Sequence, residues 1–123
     1  MWVLLNRPIF IEWFKSLNSN DKINVRASLS LLEELGPTLT RPHADTLKGT
    51  KLSNLKELRV QSDGKPIRIF FAFDPIRQCI ILCGGDKSKD KRFYKKMILI
   101  ADAEFQEHLQ ELNDEQSTNE RTR

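Results

Sequence analysis

No run of 18 apolar residues occurs in this 123-residue chain, so no segment reads as a membrane-spanning helix. The opening "MWVLLNRP" lacks the basic start and apolar stretch of an export signal. A soluble, cytoplasmic protein without a membrane partner is expected. Cysteine is scarce: Cys79 and Cys83 lie four positions apart in an apolar run, which in a strand separates their α-carbons by about 13 Å, beyond disulfide reach. They read as buried small hydrophobes, with thiols raised rather than activated. The two histidines, His43 and His108, are distant in sequence and have no clustered carboxylates, so neither a metal nor another cofactor is expected. His108 reads as a surface residue, and His43, two residues before Asp45, as a neighbour of a possible site. "GGDKS" resembles a phosphate loop superficially, but the G-x-x-x-x-G-K-[ST] spacing is missing. There is no internal repeat and no inter-domain linker.

What is abundant is charge, and it is segregated. Residues 1–40 carry four basic and four acidic side chains, residues 41–96 carry fourteen and six, and residues 97–123 carry two and seven. The centre is therefore a cation of +8 followed by a segment of −5. Such a distribution suggests a polyanionic partner for the middle of the chain.

The length suits one domain, drawn at residues 1–112, with residues 113–123 as a polar, disordered tail. "WVLL" has the composition of a short strand. Phe10, Trp13, Phe14 and Leu17 then recur at helical spacing behind Pro8, and Ile23, Ala27, Leu31, Leu32 and Leu35 form a second stripe that ends at Gly36-Pro37. These two helices form a hairpin. Thr38 to Asn54 has neither period and reads as a long connection. "LKELRVQ" and "IRIFFAFD" alternate around the turn "SDGKP", and "CIILCGG" follows "DPIRQ", which gives a three-stranded antiparallel meander. One sheet face should lie on the helices and the other should be partly open. A last helical pattern runs from Tyr94 through Met97 or Ile98, Ala101, Phe105 and Leu109 to Leu112. The fold class is α+β: a small antiparallel or mixed sheet on an N-terminal helix hairpin, with a C-terminal helix.

Chemistry is expected among the basic residues. With the hairpin centred on Asp63-Gly64, Arg59 and Arg68 fall opposite each other on the less apolar face. Two guanidiniums there repel unless an anion, or a carboxylate such as Glu57 or Asp74, lies between them. "GGDKSKDKRFYKK" then adds Lys87, Lys89, Lys91 and Arg92 beside Phe93 and Tyr94. Cations beside aromatics suit RNA: phosphates take up Lys and Arg, and an aromatic ring can stack on an unpaired base. Tyr94 can serve that way or pack as the first rung of the last helix. RNA carries its own nucleophile in the 2′-OH, so cleavage without a metal needs a proton acceptor, cations for the phosphorane and a donor for the leaving 5′-oxygen.

The order of elements, together with "DTLKGTKLSNLKELRV", "KPIRIFFAFD" and "ILCGGDKSKDKRFY", resembles the RelE/HigB superfamily of bacterial toxins, in its phage-derived HigB-like branch. The resemblance covers residues 2 to 112 and implies a RelE-like fold. It also implies the toxin of a type II toxin–antitoxin system, a metal-independent mRNA interferase that cuts mRNA in the ribosomal A site and leaves a 2′,3′-cyclic phosphate. An antitoxin, a helix-turn-helix HigA-like protein, would hold it inactive. The same fold also includes gyrase inhibitors, so a non-nuclease toxin or a basic binding module is the alternative. Carried over, Arg68 matches the arginine on the scissile phosphate and Lys87 the cation near the leaving group. Tyr94 or Phe93 matches the aromatic that orients substrate. Arg59 and Lys48 match positive positions around the pocket, with Lys51, Lys89, Lys91 and Arg92 as further RNA contacts. Asp45 matches a carboxylate that precedes the Leu-Lys pair and is a general-base candidate, as is Glu57.

Overall fold

Local chemistry sets where each element starts and stops. The computed structural model describes residues 1–52 and 54–121, with side chains through residue 117. After the short strand β1 (Leu4–Asn6), Pro8 opens α1 (Pro8–Lys15), where its missing N–H costs nothing. Asn18 caps α2 (Ser19–Leu35) by accepting from the Asp21 backbone N–H at 2.8 Å. Gly36 ends that helix at φ +54°, and a Cβ there would lie 2.3 Å from the Trp2 indole nitrogen. Glycine is required on both counts.

The buried side of α2 differs from the expected stripe. Val25 and Leu32 are buried while Ile23 and Leu35 are exposed. The cause is Asp21, a buried carboxylate on the inner side: Ser62 donates to it at 2.5 Å and Lys65 pairs with it. A polar residue thus takes one inward position, and an apolar pattern alone places the face about one residue off.

The sheet has five strands in the order β1-β5-β4-β3-β2. Its centre is the expected meander of β3 (Lys56–Ser62), β4 (Lys65–Phe73) and β5 (Cys79–Asp86). Asp63 and Gly64 both have positive φ, as a two-residue hairpin demands, and the register sets Arg59 opposite Arg68 as expected. β1 adds parallel to β5 on one edge. β2 (Ala44–Thr46) adds antiparallel to β3 on the other, inside the stretch read as a structureless connection. Three residues are too few to show a period.

Both faces of the sheet are covered, which corrects the partly open face. Leu58, Val60, Ile67, Ile69, Phe71 and Ile81 pack under α1 and α2. Phe70, Ala72, Ile80 and Leu82 pack under α3 (Phe93–Arg121) through Phe93, Ala101 and Phe105. A bulge between Phe70 and Phe71 keeps Leu82 and Cys83 both on the α3 side. Polar contacts also fasten α3. Buried Arg7 reaches Glu104 at 3.1 Å, Glu107 at 3.5 Å and Glu111 at 2.8 Å, and buried His108 meets Asp74 at 2.9 Å. His108 is therefore no surface residue, and Asp74 is spent on the β4–β5 turn and on α3 rather than on Arg59 or Arg68. α3 continues past Leu112 to Arg121, so residues 113–121 of the expected tail are helical. Residues 122–123 lie outside the described residues. Among the described residues no helix is long and apolar enough to cross a membrane.

Cys79 and Cys83 are free and buried, and desolvation pushes both thiols up to about 12.

Candidate functional site

At the β2 end of the sheet, alternation and register build a four-residue checkerboard facing α3. Asp45 stands opposite Glu57 across β2 and β3, and Arg59 stands opposite Arg68 across β3 and β4. Glu57 is 3% exposed, and a lone carboxylate so deep would cost several kcal/mol. Three groups compensate it. Arg59 Nε donates to Oε2 at 3.2 Å, Tyr94 Oη donates to Oε1 at 2.6 Å, and Arg68 Nε lies 3.5 Å from Oε1. Glu57, not an outside anion, separates the two guanidiniums.

The geometry of Arg68 is specific. One of its terminal nitrogens donates to the Ile67 carbonyl at 3.1 Å, while its buried Nε makes an ion pair with Glu57 without a hydrogen bond. This fork is held in place but retains donors for a further acceptor.

Tyr94 sits at the first turn of α3 because Asp86 and Asp90 organise the approach. Asp86 accepts from the Ser88 backbone N–H at 2.9 Å, and Asp90 from that of Arg92 at 2.8 Å. The Tyr94 ring packs edge-on to Phe70 and Phe93, with centroids at 6.2 and 5.4 Å, while its hydroxyl points to Glu57. Of the two expectations for Tyr94, the packing one holds: the ring belongs to the core, and its phenol joins the polar cluster. Burial, then the Glu57 hydrogen bond, raises its pKa above the ordinary value, with Arg68 opposing. It is a neutral donor at neutral pH. The Lys87 ammonium lies 5.5 Å from the centre of the same ring.

Asp45 is differently placed. Its carboxylate accepts from Arg41 Nε at 2.9 Å and Arg59 at 3.3 Å, and the Arg41 hydrogen bond holds it below the usual carboxylate range. So engaged, Asp45 is well suited to orient Arg59. Arg41, which carried no signal beyond its charge, enters the site through this contact, beside a cleft of about 260 Å³ lined by Arg41, Asp45, Thr46 and Lys56.

Arg41, Arg59, Arg68 and Lys87 together set four cations against the two carboxylates Asp45 and Glu57, a surplus of +2. Not all the expected cations join them. Lys89 lines a separate pocket with Trp13, Asp21, Lys65 and Asp86, under the helix hairpin. Lys91 and Arg92 are exposed in the approach to α3. Lys48 and Lys51 are exposed on the β2–β3 loop, which the Lys51 N–H ties to Asp102 at 3.4 Å. His43 is exposed, and among the described residues no three His, Cys, Asp or Glu side chains group as metal ligands.

Both the sequence and the fold have counterparts among known proteins. The profile of the family described as "Phage derived protein Gp49-like (DUF891)" matches residues 12–106. HigB3 of Mycobacterium tuberculosis, which carries a toxin name, is 47% identical over 96 residues, spanning 77% of this chain and 82% of HigB3. HigB2 of the same organism, similarly named, is 41% identical over 104 residues, 83% of this chain but only 52% of HigB2. The chain thus spans about half the length of that second relative. Among solved structures, the isolated Escherichia coli toxin RelE superposes with a TM-score of 0.59 at 12% identity, covering 79% of this chain and 96% of RelE. A double-arginine mutant of RelE in the free state gives 0.56 at 13% identity, covering 76% and 90%. The RelE likeness concerns the fold, and the sequence relatives carry the kinship: this chain belongs to the Gp49-like family, within the RelE/HigB superfamily of toxins.

Proposed function

We propose that this chain is the toxin of a toxin–antitoxin pair and a metal-independent endonuclease that cuts mRNA on the ribosome. The observation that carries this reading is the convergence of Arg59, Arg68, Lys87 and Tyr94 on one end of the sheet, with positive charge to spare. A phosphodiester turning into a dianionic phosphorane needs such a surplus, held in place before the substrate arrives. Arg68 and Arg59 bind the scissile phosphate, and Lys87 protonates the departing 5′-oxygen. Tyr94 contacts the nucleotide that supplies the 2′-OH. Lys48, Lys51, Lys91 and Arg92 take flanking phosphates through long-range attraction.

The partner implied is an antitoxin, a small helix-turn-helix protein whose binding denies the ribosome access to the basic end. The test is expression of the chain without that partner, followed by mapping of mRNA 5′ ends. Wild type should arrest growth and create new ends in phase with codons, and Arg68→Ala and Lys87→Ala should lose both effects. Growth arrest without new ends would point instead to a non-nuclease toxin of the same fold.

A further inference from the structure

We infer that Glu57, acting through the Tyr94 hydroxyl, is the proton acceptor of the reaction, and that Asp45 is a positioning residue for Arg59. The inference rests on the endonuclease reading above and assigns the one role that reading leaves open.

Position argues for it first. Glu57 is buried beneath the cluster and cannot meet a ribose directly, but Tyr94, only partly buried, donates to it through a hydrogen bond of 2.6 Å. The phenol donates its proton to Glu57, and its oxygen, which Arg68 also approaches, can accept from a substrate hydroxyl. Asp45 instead spends one oxygen on Arg41 and Arg59 and the other on the Thr46 backbone N–H.

Charge argues for it second. The groups that face Tyr94 and Glu57 are Arg59 on β3, Arg68 on β4 and Lys87 in the turn before α3. While Glu57 is a carboxylate, it holds both guanidiniums. When it receives a proton, that hold weakens at the moment the phosphorane gains charge, so the arginines are released towards the group that then needs them.

The step balances. The 2′-O–H bond breaks as the 2′-O–P bond forms; the proton passes to Tyr94 Oη while the Tyr94 proton passes to Glu57 Oε1. The P–O5′ bond breaks, and the Lys87 ammonium gives its proton to the 5′-oxygen. The products are a 2′,3′-cyclic phosphate and a 5′-hydroxyl, after which the Glu57 proton returns to Tyr94 Oη as the proton Tyr94 accepted leaves to solvent, and Lys87 regains one.

Tyr94 is the single tyrosine of the chain, so tyrosinate absorbance reads it directly. The experiment combines that titration on the purified chain with single-turnover cleavage on programmed ribosomes for wild type, Glu57→Gln, Tyr94→Phe and the double variant. Glu57→Gln should lower the Tyr94 titration point. Each single change should slow cleavage about 100-fold, and the double change should slow it no further, because both remove one relay. An unmoved titration, near wild-type cleavage by either single variant, or losses that multiply in the double would overturn the relay. If Glu57→Gln fails to fold, Tyr94→Phe still decides, since it keeps the ring packed on Phe70 and Phe93: cleavage at the wild-type rate refutes the relay. Should wild type cut and Arg68→Ala not, while Glu57→Gln cuts normally, the endonuclease stands and the relay falls. Should wild type itself not cut, both fall.

Discussion

Arg68 shows why residue type matters more than charge at this site. Its guanidinium donates to the Ile67 carbonyl, makes an ion pair with the Glu57 carboxylate and keeps further N–H groups in a planar fork, a division that an ammonium cannot reproduce. Arg68→Lys is therefore expected to fold normally and to lose cleavage by about tenfold or more, measured as single-turnover rates on programmed ribosomes. The cysteines present the opposite case, groups whose chemistry is suppressed. With thiols pushed up to about 12, native protein at pH 8 should resist alkylation, and both cysteines should react once denaturant is added. Rapid labelling of the native chain would show that β5 is less protected than its burial implies. At this scale the sequence was partly legible. The facing of Arg59 and Arg68 followed from hairpin register, and the buried cysteines from their apolar run. Glu57 could be named but not ranked, because whether a carboxylate on a strand is a surface partner or a buried hub depends on what covers the strand.

At the level of elements, the covering helix was the less legible part. The pattern that places α3 is visible from Tyr94 onward, but its polar fastenings join residues far apart: Arg7 to Glu111, and Asp74 to His108. No local signal marks such pairs. They make the docking of α3 dependent on charge. Arg7→Ala should destabilise the fold by about 2 kcal/mol in urea titration, the lower side of a broken buried pair because Glu107 and Glu111 are more than half exposed. The carboxylates predict the pH dependence. Burial pushes Asp74 up, but the His108 hydrogen bond and the Gln78 contacts pull it below its ordinary value, and the Lys65 hydrogen bond lowers Asp21. A depressed native pKa contributes stability above the unfolded value near about 4 and loses it as pH falls through the native one. Thermal midpoints should thus hold between neutral pH and about pH 5 and fall below about pH 4. Gly36 is a further fixed point at the α2 terminus: Gly36→Ala meets the Trp2 indole and a positive φ, and should cost about 2 kcal/mol.

Across the whole molecule, segregation of charge along the sequence becomes segregation in space. The basic middle of the chain forms the β3–β4 hairpin, β5 and the turn into α3, and sets Arg41, Arg59, Arg68 and Lys87 in one cluster, while the acidic last segment runs along α3 and takes up Arg7. The architecture was legible because strands, hairpins and helices each follow a local period. Three things were not: a three-residue edge strand, the closing of the second sheet face, and which lysines share a surface. Lys89 ends on the helix-hairpin side, lining a pocket with Trp13, Asp21, Lys65 and Asp86. The central claim is that this assembled end cuts RNA by using the RNA's own 2′-OH. The most direct test is the end chemistry of the fragments released from programmed ribosomes by purified protein. The account predicts an upstream fragment ending in a 2′,3′-cyclic phosphate and a downstream fragment beginning with a 5′-hydroxyl. A 3′-hydroxyl paired with a 5′-phosphate would mean that water was the nucleophile, and would contradict it.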